Sequence, residues 1–260
     1  MNAVAAPVSA MVHASGLDGP PVLLVHGFGA DRLSWVANQH ALSEAGRVYV
    51  LDLPGHGDSP LAGSAGLDAL AAAVERAIEA SGLGPLHLVG HSLGGAVAIA
   101  LAAARPDRVR SLALIAPAGL GQGMDEHFLS EYPQCDSIET MEALLRRLVV
   151  RPRLISRQLA ARALEQLERP EARRGLIAIA GELRRIGQAV GPALERIAAS
   201  SLPRLVLWGA QDAIIPLDPD RLQRFGAESL ILPDASHLPH VESPRAVNDR
   251  LKRWLSEQSR

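Results

Sequence analysis

Apolar runs without alternation recur through the first third of the chain, each closed by glycine or a turn-forming cluster. Residues 21–26 (P-V-L-L-V-H) lead into Gly27-Phe28-Gly29, and residues 47–51 (R-V-Y-V-L) end in D-L-P-G-H-G-D-S at 52–59. Residues 86–89 run straight into Gly90, and residues 109–115 make a fourth run. Between them lie helical patterns: 67–80, with Leu67, Leu70, Val74 and Ile78 on one face, and the Ala-rich stretch 92–104. Unalternated apolar strands separated by helices predict a mostly parallel sheet covered on both faces, an α/β architecture. In such sheets functional loops gather beyond the carboxyl ends of the strands. The glycine-bearing segments named above fall at such ends.

The pattern changes at Gly119-Leu120-Gly121. From there to about residue 200 no β-like run occurs, and helical stretches follow around 138–149, 152–167, 172–186 and 193–199. Strand patterns resume at 205–208 and 230–232, and residues 244–255 read as a closing helix. Helices inserted between two strands of one sheet would cap its loop-bearing end. The expected division is therefore a core of residues 1–118 and 201–260 with a helical cap at 119–200.

Composition narrows the function classes. Of 260 residues, 48% are hydrophobic and 21% charged, which supports a large core and sets chain-wide disorder aside. A net charge of -2 gives no electrostatic reason to expect nucleic acid or an anionic membrane as partner. Arginine and glutamate cluster together in helical stretches such as 160–174, the signature of a solvated face. Cys135 is the only cysteine, so neither an internal disulfide nor a multi-cysteine metal site can form. Residues 1–15 lack a charged n-region and a sustained apolar stretch, so no signal peptide is expected. No segment approaches the ~20 apolar residues that span a bilayer. A cytoplasmic protein acting on a small molecule is the simplest expectation, with its oligomeric state not legible.

The sharpest motif is Gly90-His91-Ser92-Leu93-Gly94, a G-x-S-x-G at a strand-to-helix switch. Such an elbow strains the serine at its tip and presents Oγ outward, while the helix start places the Leu93 N–H beside it. A hydroxyl needs a base to take its proton. His237 stands directly after the last strand and before the last helix, with His240 as the local rival. His91, His26, His56 and His87 read as scaffold or loop-packing residues. The base needs an acceptor that holds its tautomer. Asp212 follows the strand 205–208 through Gly209-Ala210-Gln211. Asp218 and Asp220 flank Pro219 ahead of a helix and suit turn or N-cap roles, and Asp234 suits its own turn. An oxyanion would need two donors, for which the Phe28 and Leu93 N–H groups are placed. No cofactor is called for: G-x-G-x-x-G, a Walker loop and metal-ligand spacings of the H-E-x-x-H kind are missing.

His26-Gly27-Phe28-Gly29, the segment 52–59, G-H-S-L-G-G at 90–95, W-G-A-Q-D at 208–212 and the segment 237–244 together resemble the α/β-hydrolase family. The resemblance runs from about residue 20 to 255. It implies the α/β-hydrolase fold, triad roles for Ser92, Asp212 and His237, and a helical lid at about 119–200. Within the family, V-L-L-V-H-G-F-G-A-D-R-L-S-W at 22–35 and I-A-P-A-G-L-G at 115–121 are similar to the hydrolase-like portion of acetoin dehydrogenase E2 components. The acyltransferase role there involves a lipoyl arm. The only lysine here, Lys252, lies in the closing helix, so this chain cannot carry that arm itself. Two departures stand out: Ala235-Ser236 replaces a glycine-rich lead to the histidine, and the short stretch before Pro20 implies that the first antiparallel strands are abbreviated or absent.

The expected chemistry is ester or thioester hydrolysis through an acyl-Ser92 intermediate. The alternatives are C–C bond hydrolysis of dienoic ring-cleavage products, acyl transfer to another acceptor, and ligand binding without turnover. Haloalkane dehalogenation and epoxide hydrolysis are disfavoured because their elbows carry Asp where Ser92 stands. Leu120, Met124, Phe128, Leu129, Tyr132, Leu144, Leu148 and Ile179 are candidate walls of an apolar acyl pocket. With aromatic residues at only 3%, those walls are expected to be aliphatic.

Overall fold

The computed structural model describes residues 12–15, 18–61 and 63–259, and in it the apolar runs become one seven-stranded sheet. The strands are β1 (Val12–Ser15), β2 (Pro21–Val25), β3 (Arg47–Leu51), β4 (Leu86–His91), β5 (Val109–Ile115), β6 (Arg204–Gly209) and β7 (Glu228–Leu232). Their order is β1-β3-β2-β4-β5-β6-β7, with β1 antiparallel to β3 and every other pairing parallel. An antiparallel lead strand is thus present among the described residues. The expectation of no signal peptide falls, for residues 1–11, outside the described residues.

Neighbouring residues on one strand serve opposite faces, as the unalternated pattern requires. Val22 and Leu24 pack with Trp35, Leu42, Leu251 and Trp254, from beside and within the helices α1 (Val36–Leu42) and α11 (Pro244–Glu257). Leu23 and Val25 join the other core, with Leu70, Val74 and Ile78 of α2 (Leu67–Ala80) and Val97 and Leu101 of α3 (Leu93–Ala104). α3 is apolar on nearly every side and is buried through Ala102, as a helix between sheet and overlying helices must be.

Five helices lie between β5 and β6: α4 (Glu126–Glu131), α5 (Ile138–Leu145), α6 (Arg157–Glu168), α7 (Pro170–Leu183) and α8 (Ile186–Ala198). This is the inserted helical cap region of an α/β-hydrolase fold. After β6 come α9 (Pro219–Phe225) and the short α10 (Pro239–Glu242) ahead of α11. The sequence pattern missed α4, a helix of six residues capped by Asp125, whose side chain accepts from the His127 and Phe128 N–H groups. It also started α8 at residue 193, whereas the helix begins at Ile186. Gly187, Gly191 and Pro192 disguise that first half, because all three are poor helix formers. Among the described residues no helix is long and apolar enough to cross a membrane.

Candidate active site

Ser92 sits at the junction of β4 and α3 with φ 51° and ψ −117°, a costly conformation for a residue bearing a Cβ. The surrounding backbone holds it there. Its N–H donates to the Ile115 carbonyl at 3.0 Å, and its own carbonyl accepts from Gly95, Ala96 and Ala118 at 2.9, 3.2 and 3.0 Å. The motif's outer glycines make the turn possible. A Cβ on Gly90 would strike the backbone of Gly94 and Gly95, and one on Gly94 would strike the Val25 and His26 carbonyls.

The ends of three strands meet at this serine. His237, in the loop after β7, places Nε2 3.1 Å from Ser92 Oγ. Its Nδ1 lies 2.9 Å from Oδ2 of Asp212, in the loop after β6. Oδ2 also accepts from the Trp208 indole N–H at 3.1 Å, and Oδ1 accepts from the Ile214 and Ile215 N–H groups, each at 2.9 Å. With the Nδ1 proton directed to this carboxylate, Nε2 is left as an acceptor facing the hydroxyl. All three side chains are buried. Such an arrangement can take a proton from Ser92 and return it to a leaving group.

Leu93 opens α3, so its N–H has no acceptor within the helix. Phe28 lies in the turn closed by the Ala30 N–H on the Gly27 carbonyl at 3.3 Å. That loop passes close to the elbow: a Cβ on Gly27 would stand 3.0 Å from Ser92 Cβ.

The rival residues are placed elsewhere. Asp218 caps α9 through the Arg221 N–H at 3.0 Å, Asp220 lies in the first turn of that helix, and Asp234 is exposed. His240, in α10, has both ring nitrogens buried without a partner, and burial pushes its pKa down to about 3. His26 accepts the Leu53 N–H on Nε2 at 2.9 Å, and His87 bridges the Ser111 and Ser259 hydroxyls, both scaffold roles.

Sequence reasoning undervalued His91 and missed Glu242. The buried His91 ring lies 4.9 Å from the His237 ring and 4.6 Å from that of His240, which stacks in turn on Trp35 at 4.7 Å. Nε2 of His91 bonds the His237 carbonyl at 2.9 Å. Burial drives its pKa well below the usual imidazole range, which leaves Nε2–H as a neutral donor. Glu242 is also buried. Its carboxylate accepts the Ser236 N–H at 2.6 Å on one oxygen and the Val150 N–H at 2.8 Å on the other. An acid set between Val241 and Ser243 in a mostly apolar, proline-flanked loop was the available signal.

A cavity of about 400 Å³ opens over Ser92 and His237. Met124, Phe128, Leu129, Tyr132 and Leu148 line it as expected, whereas Leu120, Leu144 and Ile179 are buried in the helical packing instead. The walls are mostly aliphatic, as expected, with three aromatic rings among them. Phe28, Phe128 and Tyr132 face the cavity among aliphatic neighbours such as Leu129, Leu148 and Ile155. The Tyr132 hydroxyl donates to the Gly29 carbonyl at 2.5 Å and joins the inserted helices to the loop beside Ser92.

The profile of the Alpha/beta hydrolase family matches residues 22–250. The chain is 35% identical over 246 residues to the dihydrolipoyllysine-residue acetyltransferase component of the acetoin cleaving system of Pseudomonas putida, covering 92% of this chain. It spans only 64% of that relative's length. It is 31% identical over 258 residues to a pimeloyl-[acyl-carrier protein] methyl ester esterase of Aeromonas hydrophila, covering 91% of this chain and 96% of the relative. In shape it resembles a meta-cleavage product hydrolase from Pseudomonas fluorescens, with a TM-score of 0.83, 24% identity, and 95% and 94% of the two chains covered. The chain belongs to the alpha/beta hydrolase family.

Proposed function

We propose that this enzyme hydrolyses a carboxylic ester or thioester, with Ser92 as nucleophile, His237 as general base and acid, and Asp212 holding the imidazole. The observation that carries this reading is the 3.1 Å contact from His237 Nε2 to the strained Ser92 hydroxyl, with Nδ1 committed to Asp212. Ser92 Oγ attacks the carbonyl carbon as its proton passes to His237. The Phe28 and Leu93 N–H groups receive the developing oxyanion. Collapse expels the alcohol or thiol, protonated by His237, and leaves an acyl-Ser92 ester. Water then attacks that ester with His237 again as base, and the acid departs. Residues 119–200 serve as the cap that walls the acyl site. The esterase relative matched over nearly its whole length supports this choice of bond.

A second reading is hydrolysis of a C–C bond next to a ketone in dienoic ring-cleavage products. The likeness in shape to the meta-cleavage product hydrolase is the observation behind it. The two readings share the serine and separate at the substrate.

Initial rates on p-nitrophenyl esters from acetate to decanoate, wild type beside Ser92→Ala, test the proposal. Ester turnover that falls by roughly 10⁴-fold or more in the variant is expected. Equal turnover by Ser92→Ala would sink the acyl-enzyme route. Ser92-dependent cleavage of a dienoic ring-cleavage product, with no ester turned over, would establish the second reading instead.

A further inference from the structure

The walls of the cavity carry a restriction that neither reading contains. Among the described residues lining it there is no Lys, Arg, Asp or Glu. Of the three histidines there, His237 is committed to Asp212 and Ser92, while His91 and His240 are held neutral by burial. Three arginines of the cap segment are drawn to other acceptors. Arg147 pairs with Asp125, Arg151 with the Glu242 carbonyl, and Arg162 with Asp31 at 3.0 Å. The Tyr132 hydroxyl is spent on Gly29, and the Ser34 hydroxyl has no partner but carries no charge.

Resting on the Ser92-hydrolase reading, we propose that this cavity takes an uncharged acyl chain of medium length and rejects a chain of the same length ending in a carboxylate. A carboxylate drawn into such a cavity loses its water and gains no cation. That desolvation costs several kcal/mol even after relaxation, so discrimination of roughly 100-fold or more follows. At roughly 30 Å³ per water-sized group, a volume of about 400 Å³ holds a chain of on the order of a dozen methylenes. The same walls weigh against a dienoate, whose carboxylate would need a partner.

The test compares kcat/KM for p-nitrophenyl hexanoate and mono-p-nitrophenyl adipate on the wild-type enzyme near neutral pH. The two chains match in length and differ in the terminal carboxylate. A value for the adipate lower by roughly 100-fold or more is expected. Values within about tenfold of each other would overturn the inference, since discrimination that small is below any uncompensated desolvation. Thermal shifts with hexanol and ω-hydroxyhexanoate give an answer that does not depend on turnover. Stabilisation by hexanol alone supports the uncharged pocket, and equal stabilisation by both overturns it. If neither ester is cleaved while hexanol alone stabilises, the reaction assignment fails and the pocket inference stands.

Discussion

Four hydrogen bonds converge on the Asp212 carboxylate, and His237 supplies only one of them. The acid is therefore anchored by Trp208, Ile214 and Ile215 whether or not the imidazole is in place. The imidazole is anchored differently, by ring contacts and by the bond from His91 to its backbone carbonyl. His91→Phe keeps a ring in the stack and removes that bond. A net loss of ~1 kcal/mol in positioning predicts kcat lower by roughly fivefold with KM unchanged. Steady-state kinetics on a p-nitrophenyl ester checks this, and a rise in KM alone would point to a pocket role instead. Ser92, Asp212 and His237 were legible as candidates because each ends a strand, where a side chain can reach the loop-bearing edge. The part played by His91 was not. It depends on which way the last residue of β4 turns its ring, and no spacing along the chain records that.

Two glycines in α7 separate what a helix tolerates from what its neighbours tolerate. A Cβ on Gly181 meets nothing within 4 Å, whereas one on Gly175 would stand 3.3 Å from Leu61 Cβ and 3.4 Å from Gly55 Cα. Gly181→Ala should therefore stabilise the protein by about 0.5–1 kcal/mol, the helical advantage of alanine. Gly175→Ala should gain less or lose stability, because the helix rests closely on the loop 54–61. Urea midpoints of the two variants decide the matter, and equal gains would show that the close approach is unimportant. The strands were legible because apolar runs bounded by glycine are hard to read otherwise. The cap helices were less so: their ends depend on capping side chains such as Asp125 and Ser137 and on packing that carries α8 through Gly191 and Pro192.

For the molecule as a whole, the buried histidines set the response to acid. Burial is the first cause holding His26, His56, His87, His91 and His240 below the usual imidazole range, to about 3 for His56 and His240 and about 4 for His87. Below pH ~6.5 the unfolded chain binds protons at these rings that the folded chain refuses, so stability falls as pH drops. A fully buried ring that stays neutral, such as that of His240, costs about 2 kcal/mol at pH 5. Melting temperature should decline steadily from pH 7.5 to pH 5, and His240→Phe should flatten the slope by one histidine's share. A melting temperature level across that range would refute this account. Composition signalled the large core, but not that these imidazoles would be sealed inside it. Glu242 adds a mechanical consequence. One carboxylate holds both the Ser236 amide beside His237 and the Val150 amide of the cap segment. Lifting that stretch of the cap away would strip one oxygen of its donor and loosen the anchor of the loop that carries the imidazole. With His237 as the proposed base, access to the cavity and the seating of that base would thus be linked through Glu242.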